Sequence, residues 1–75
     1  MTQYANNGGD SNITAYENGN GYIKIQFASG KETLYTYTNT SAGSQAIHHM
    51  QSLAEAGQGL NSYISKNRPN FESKE

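Results

Sequence analysis

Residues 22–28 read YIKIQFA, and their side chains alternate in direction: Ile23, Ile25 and Phe27 fall on one side, Tyr22, Lys24 and Gln26 on the other. A period of two is what a half-buried strand requires, because successive side chains of extended backbone leave opposite faces. Residues 32–38, ETLYTYT, repeat the period, with Tyr35 and Tyr37 on one side and Leu34, Thr36 and Thr38 on the other. Ser29-Gly30-Lys31 between them has turn composition. With Ser29-Gly30 at the hairpin tip, residues 33, 35 and 37 share the Ile23/Ile25/Phe27 face. A register slip of one residue would send both tyrosine rings to the other side.

Upstream, NITAYE (12–17) is short and β-prone, and NGNG (18–21) is a tight-turn signal, since Asn and Gly accept positive φ at low cost. The three segments read as an antiparallel meander with one apolar face. NTSAGS (39–44) is a polar connector in which Ser41 or Ser44 is placed to cap a helix. From Gln45 the period changes: Ala46, Ile47, Met50, Leu53, Ala54 and Gly57 fall on one helical stripe, with Gly57 as its stop. Leu60, Tyr63 and Ile64 share a face of a second short helix, which Arg68-Pro69 ends.

The expected fold is α+β: a three-stranded antiparallel β-meander followed by two short helices packed on one face, in the order β-β-β-α-α. Residues 1–11, polar and glycine-rich with Tyr4 as their one large side chain, read as a flexible N-terminal segment. Residues 12–67 read as the domain, and 68–75 as a charged, mobile tail. The sheet face bearing Tyr22, Lys24, Gln26, Leu34, Thr36 and Thr38 has no expected cover, which makes Tyr22 and Leu34 candidate interface residues.

Composition narrows the function classes. A chain of 75 residues makes one domain and buries only about 60% of its unfolded surface, so its core is small and a homo-oligomer would add stability. Cysteine is absent, which removes disulfides and thiolate chemistry and fits a reducing compartment. No apolar run approaches the roughly 20 residues that span a bilayer, and the first residues lack signal-peptide order, so a soluble cytoplasmic protein is expected. The net charge of −1, with only Lys24, Lys31, Lys66, Arg68 and Lys74 cationic, argues against a tight, nonspecific grip on long nucleic acid. It leaves room for a local cationic patch late in the chain.

Several of these residues together resemble the KTSC domain, a small domain named for the C-terminal region of some lysyl-tRNA synthetases and also found as stand-alone bacterial proteins. The likeness runs from Ser11-Asn12-Ile13 through Tyr16-Glu17, the alternating Ile23, Ile25 and Phe27 followed by Gly30, and Tyr35-Thr36-Tyr37 at the family's Tyr-x-Tyr. It ends on Gly57, Leu60, Asn61 and Ile64. The chain departs from the pattern in lacking Val-Pro before the helix, and at Gly59 and Ser65, where an aromatic and a cation are usual. The resemblance implies a non-enzymatic domain for which RNA binding has been suggested.

Candidate site residues each carry two readings. Tyr35 and Tyr37 are either core rings with hydroxyls at the edge or a stacking surface for a base. His48 and His49 are adjacent on a helix and point about 100° apart, so they do not converge on a metal ion; His49 is either solvated or a hydrogen-bond donor to a ligand. GQGLNSYISKNR (57–68) is either a helix–helix turn with a cationic end or an anion site in which Asn61, Lys66 and Arg68 contact phosphate. No catalytic constellation, metal site or cofactor motif stands out, since the carboxylates are scattered through turns and tails.

The expected function is therefore a non-catalytic binding module for a nucleotide-type ligand, using Tyr35, Tyr37, His49, Asn61, Lys66 and Arg68. A phage or mobile-element protein that sequesters a cyclic nucleotide immune signal is one biological form of it. RNA binding and a protein–protein module using the open sheet face are the alternatives.

Overall fold

The computed structural model describes residues 1–5, 7, 12–28 and 33–75, so the Ser29-Gly30 tip and Ser11 lie outside the described residues. Five strands form one antiparallel sheet in chain order: β1 (Thr2–Gln3), β2 (Ile13–Gly19), β3 (Tyr22–Phe27), β4 (Leu34–Thr38) and β5 (Ser73–Lys74). Three helices, α1 (Asn39–Ala42), α2 (Ser44–Ala56) and α3 (Leu60–Asn67), separate β4 from β5. The α+β class and the three central strands followed by helices agree with the alternation and stripe of the sequence. The sheet is wider than three strands because the segments read as a flexible lead-in and a mobile tail each pair along one of its edges.

The β3–β4 register sets Ile23 opposite Tyr37 and Ile25 opposite Tyr35, so both rings share the isoleucine face. Thr33 does not belong to that face in the expected way. It precedes β4, and its hydroxyl accepts a 2.6 Å hydrogen bond from Gln26 Nε2.

In β2 the register shifts between Ile13 and Ala15. This is a bulge: one extra residue, Thr14, interrupts the two-residue period. Its consequence is that Ile13 and Tyr16, which simple alternation would send to opposite faces, are both buried. Thr14 Oγ1 donates to Gln26 O at 3.2 Å beside the irregularity.

α2 lays Ile47, Met50 and Ala54 on the sheet. Ile23, Ile25, Ile47, Met50 and Leu60 have no exposed surface. Burying each such side chain contributes about 1.5–3 kcal/mol. Gln51, one position past that stripe, ties the helix to the β2–β3 turn: its Nε2 donates to Gly19 O and Tyr22 O, both at 2.8 Å. Both residues are also register partners at the closed end of the β2–β3 ladder, so Gln51 adds a side-chain tie to a turn that the sheet already holds.

The remaining cover comes from chain segments on either side. Tyr4 is buried, its N–H donates to Thr14 O at 2.9 Å, and its ring meets Tyr16 edge-on at 6.4 Å. The Tyr4 hydroxyl accepts the Leu60 N–H at 3.3 Å, supplying α3 with the cap that Gly59 has no side chain to give. Asn7 closes the same corner, donating from N to Gly57 O at 2.7 Å and from Nδ2 to Ala56 O at 3.1 Å. Gly57 ends α2 in the left-handed conformation, as its position implied, and Arg68 ends α3.

Neither expected serine caps the main helix. Thr38 caps α1, with Ser41 N–H donating to its Oγ1 at 3.1 Å and the Thr38 N–H donating to Ser41 Oγ at 3.0 Å, a reciprocal box. Gly43 precedes α2 with φ 93° and no side-chain cap.

Gln51→Ala removes the two hydrogen bonds that tie α2 to the β2–β3 turn. It is expected to lower stability by roughly 1–3 kcal/mol in chemical denaturation without changing far-UV helix content. Gly57→Ala is expected to cost more, roughly 2–4 kcal/mol, because φ there is 75° and a methyl group would stand 2.6 Å from Ala5 Cβ. Faster amide exchange at Tyr4 and Asn7 in that variant would place the damage at this corner.

Candidate ligand-binding groove

The break between α1 and α2 creates the groove. Gly43 accepts its turn of chain at φ 93°, a value that favours glycine. Its N–H donates back to Asn39 O at 3.0 Å, closing α1, while its carbonyl accepts the Ile47 N–H at 3.0 Å, opening α2. The first turn of α2 therefore begins beside the end of α1 with no side-chain cap hydrogen bond from its N-cap residue. Such a helix end carries partial positive charge.

A groove of about 560 Å³ lies there, lined by Ala42, Gly43, Ser44, Gln45, Ala46, His49 and Tyr63. Its volume is in the range of small-molecule sites. The rings of His49, one turn into α2, and Tyr63, on α3, meet with centroids 4.6 Å apart and planes tilted by 39°. Tyr63 is held by its place beside the core, while its neighbours Leu60 and Ile64 pack inward. Asn67 Nδ2 donates to Tyr63 O at 3.1 Å one turn further on. The groove thus presents a pair of flat rings at one side and helix N–H groups at the other, and none of the residues lining it is acidic.

Of the expected ligand residues, His49 lines this groove and the others are placed elsewhere. Tyr37 is buried and Tyr35 half-buried, in an aromatic row with Phe27 and Phe71. Tyr35 and Tyr37 stack at 6.3 Å and 19°, and Phe71 stands edge-on to both, at 5.1 Å and 6.5 Å. One ring is therefore core, and the other is at the margin under Phe71. Asn61 is half-buried on α3, whereas Lys66 and Arg68 are exposed at its end. Tyr63 was missing from the expected set. Its helical stripe assigned it to packing, and nothing local in the sequence pairs it with a histidine fourteen residues earlier.

On the other sheet face, Tyr22 and Leu34 are both half-buried. The Tyr22 ring lies across Gly19, and its hydroxyl donates to Glu17 Oε2 at 2.9 Å. That hydrogen bond, with the carboxylate charge and slight burial behind it, raises the Tyr22 phenol above its ordinary value. A second concavity of about 420 Å³, lined by Met1, Thr2, Tyr16, Glu17, Asn18 and Glu55, is acidic and disfavours anions. There Asn18 Nδ2 donates to Glu55 Oε2 at 3.0 Å, and Asn18 Oδ1 is buried without a partner.

No family model, curated protein or solved structure matched the chain.

Burial, with the Tyr35 phenol adding a coulombic cost, pushes the Tyr37 hydroxyl from 10.0 up to about 12. The folded state then holds this proton more tightly than the unfolded one. The stability linked to it is complete below pH 10.0 and is lost as pH rises through about 12. Denaturation midpoints measured across that interval should fall more steeply for the parent than for Tyr37→Phe, which has no proton to lose there. Equal slopes would show that the ring is wetter than described.

Proposed function

We propose that this chain is a non-catalytic binding module for a nucleotide-type ligand, held in the groove between α2 and α3. The observation that carries the reading is the His49–Tyr63 ring pair, 4.6 Å apart, in the same groove as the uncapped first turn of α2. A base is a flat π-system and stacks on such a pair, a contact worth about 1–3 kcal/mol. A phosphate is an anion with several acceptors, and the N–H groups of Ser44, Gln45 and Ala46 are donors at a positive helix end. A net charge of −1 suits a ligand with one or two phosphates better than a polyanion.

The module is read as non-catalytic because its groove offers one imidazole and no carboxylate to orient it. On this reading the Tyr35–Tyr37 pair of the KTSC-like signature shapes the domain rather than the ligand contact. A binder without turnover suits the sequestration of a signal, and a cyclic nucleotide sequestered by a phage or mobile-element protein is the form proposed.

Thermal-shift measurements with mononucleotides and cyclic mono- and dinucleotides test the reading. At least one should raise the melting temperature at about 100 µM, and Tyr63→Ala should weaken that ligand roughly 5- to 150-fold, the range a lost stacking contact implies. No shift with any of them, together with single-stranded RNA binding at about 50 mM salt, would replace this reading with the RNA-binding one.

A further inference from the structure

We propose that residues 69–75 form an exchangeable arm, and that β5 and Phe71 of one copy seat on β4 of a second copy to make a symmetric, arm-swapped dimer. The surface is defined by what occupies it within one chain. Glu72 N–H donates to Thr36 O at 2.6 Å, Glu75 N–H to Leu34 O at 2.8 Å, and Leu34 N–H to Glu75 O at 3.0 Å. Ser41 Oγ donates to Asn70 O at 2.8 Å, and Thr38 Oγ1 to Glu72 Oε1 at 2.9 Å. Phe71 presents its edge to Tyr35 and Tyr37, and Lys74 Nζ stands 5.5 Å over its ring.

These contacts form a complete recognition unit: an extended peptide adds to a sheet edge, and one aromatic side chain enters a slot between rings. They all run from the arm to β4 and α1, apart from the Lys74–Phe71 contact within the arm itself. Any second segment with the same backbone direction and an aromatic residue at the same register makes them equally well. The segment that matches by construction is the arm of another copy.

Three features favour exchange. The arm is lightly held, since residues 70–75 are all exposed and Phe71 keeps 42% of its surface in solvent. Its hinge is strained: Arg68, at φ 45° and ψ 59°, is the one non-glycine residue with positive φ among those described, and it is followed by Pro69. An L-residue is disfavoured in this left-handed conformation, and an open hinge relieves it. Exchange also requires no new side-chain interface, because each contact is traded for an identical one and the loss is association entropy. Short strained hinges are where swapping occurs. Leu34, on the receiving strand, then belongs to the interface through its backbone. The groove beside His49 takes no part, so this proposal stands or falls apart from the nucleotide reading.

The chain contains no cysteine, and Thr36 and Ser73 are register partners on β4 and β5. Full-length Thr36→Cys and Ser73→Cys proteins, mixed and oxidised, join as a heterodimer only where an arm has crossed. The control mixes Thr36→Cys with Ser52→Cys, an exposed position on α2. The expected result is heterodimer formation at least about tenfold faster than in the control, because a paired strand raises the local thiol concentration to about the millimolar range. Equal rates overturn the proposal. Sedimentation of the unmodified chain gives the second reading: a dimer that grows in between about 10 µM and 1 mM supports exchange, and a monomer throughout overturns it.

Discussion

The seat of α2 on β3 and β4 is the contact on which the rest of this structure depends. Ile47 and Met50 close over Ile23, Ile25 and Tyr37, and apart from Leu60 the largest fully buried side chains among the described residues are all in this group. In a chain this short the entropy of folding is opposed by only a handful of fully buried side chains. Position also follows from this seat. Once Met50 is fixed over the sheet, Gln51 is aimed at the β2–β3 turn, His49 turns outward beside Tyr63, and the first turn of α2 opens away from α1.

α2 and α3, the helices that bury side chains on the sheet, are too small to cover the whole face, and the chain finishes the work with aromatic side chains from the segments on either side. Tyr4 closes one border by packing edge-on to Tyr16 and capping α3 with its hydroxyl. Phe71 closes the other over Tyr35 and Tyr37. The two closures differ in strength. Tyr4 is buried, hydrogen-bonded through its backbone N–H and its hydroxyl, and edge-on to Tyr16, whereas Phe71 remains 42% exposed. The weaker closure is where exchange between copies is proposed. The groove beside His49 is an opening that neither covers.

Much of this was legible in the residues themselves. The period of two in 22–27 and 34–38 put Tyr35 and Tyr37 on the isoleucine face, and the stripe through Ile47, Met50 and Ala54 identified the helix that covers it. Gly57 and Arg68 ended their helices where their chemistry implied. What escaped was non-local. The bulge at Thr14 leaves no mark in composition, yet it alone explains how Ile13 and Tyr16 both face inward. Tyr4 looked like a stray ring in a polar lead-in because its partner Leu60 lies 56 residues away. Phe71 was set among charges, and only the pairing of Ser73 with Thr36 shows why it turns back. The site suffered in the same way. Residue types suited to a nucleotide were visible, but which of them converge depends on how α2 and α3 meet, and that brings Tyr63 to His49 and leaves Lys66 and Arg68 in solvent.

The contact under α2 is open to direct observation by methyl NMR. A nuclear Overhauser spectrum of the chain, labelled at isoleucine and methionine methyls, reports pairs within about 5–6 Å, the scale on which buried side chains touch. Cross-peaks linking Met50 and Ile47 to Ile23 and Ile25 are the result this account predicts. A spectrum in which the two sets are sharp but unconnected would mean that the helix does not rest on this sheet face, and the groove and both borders would lose their basis.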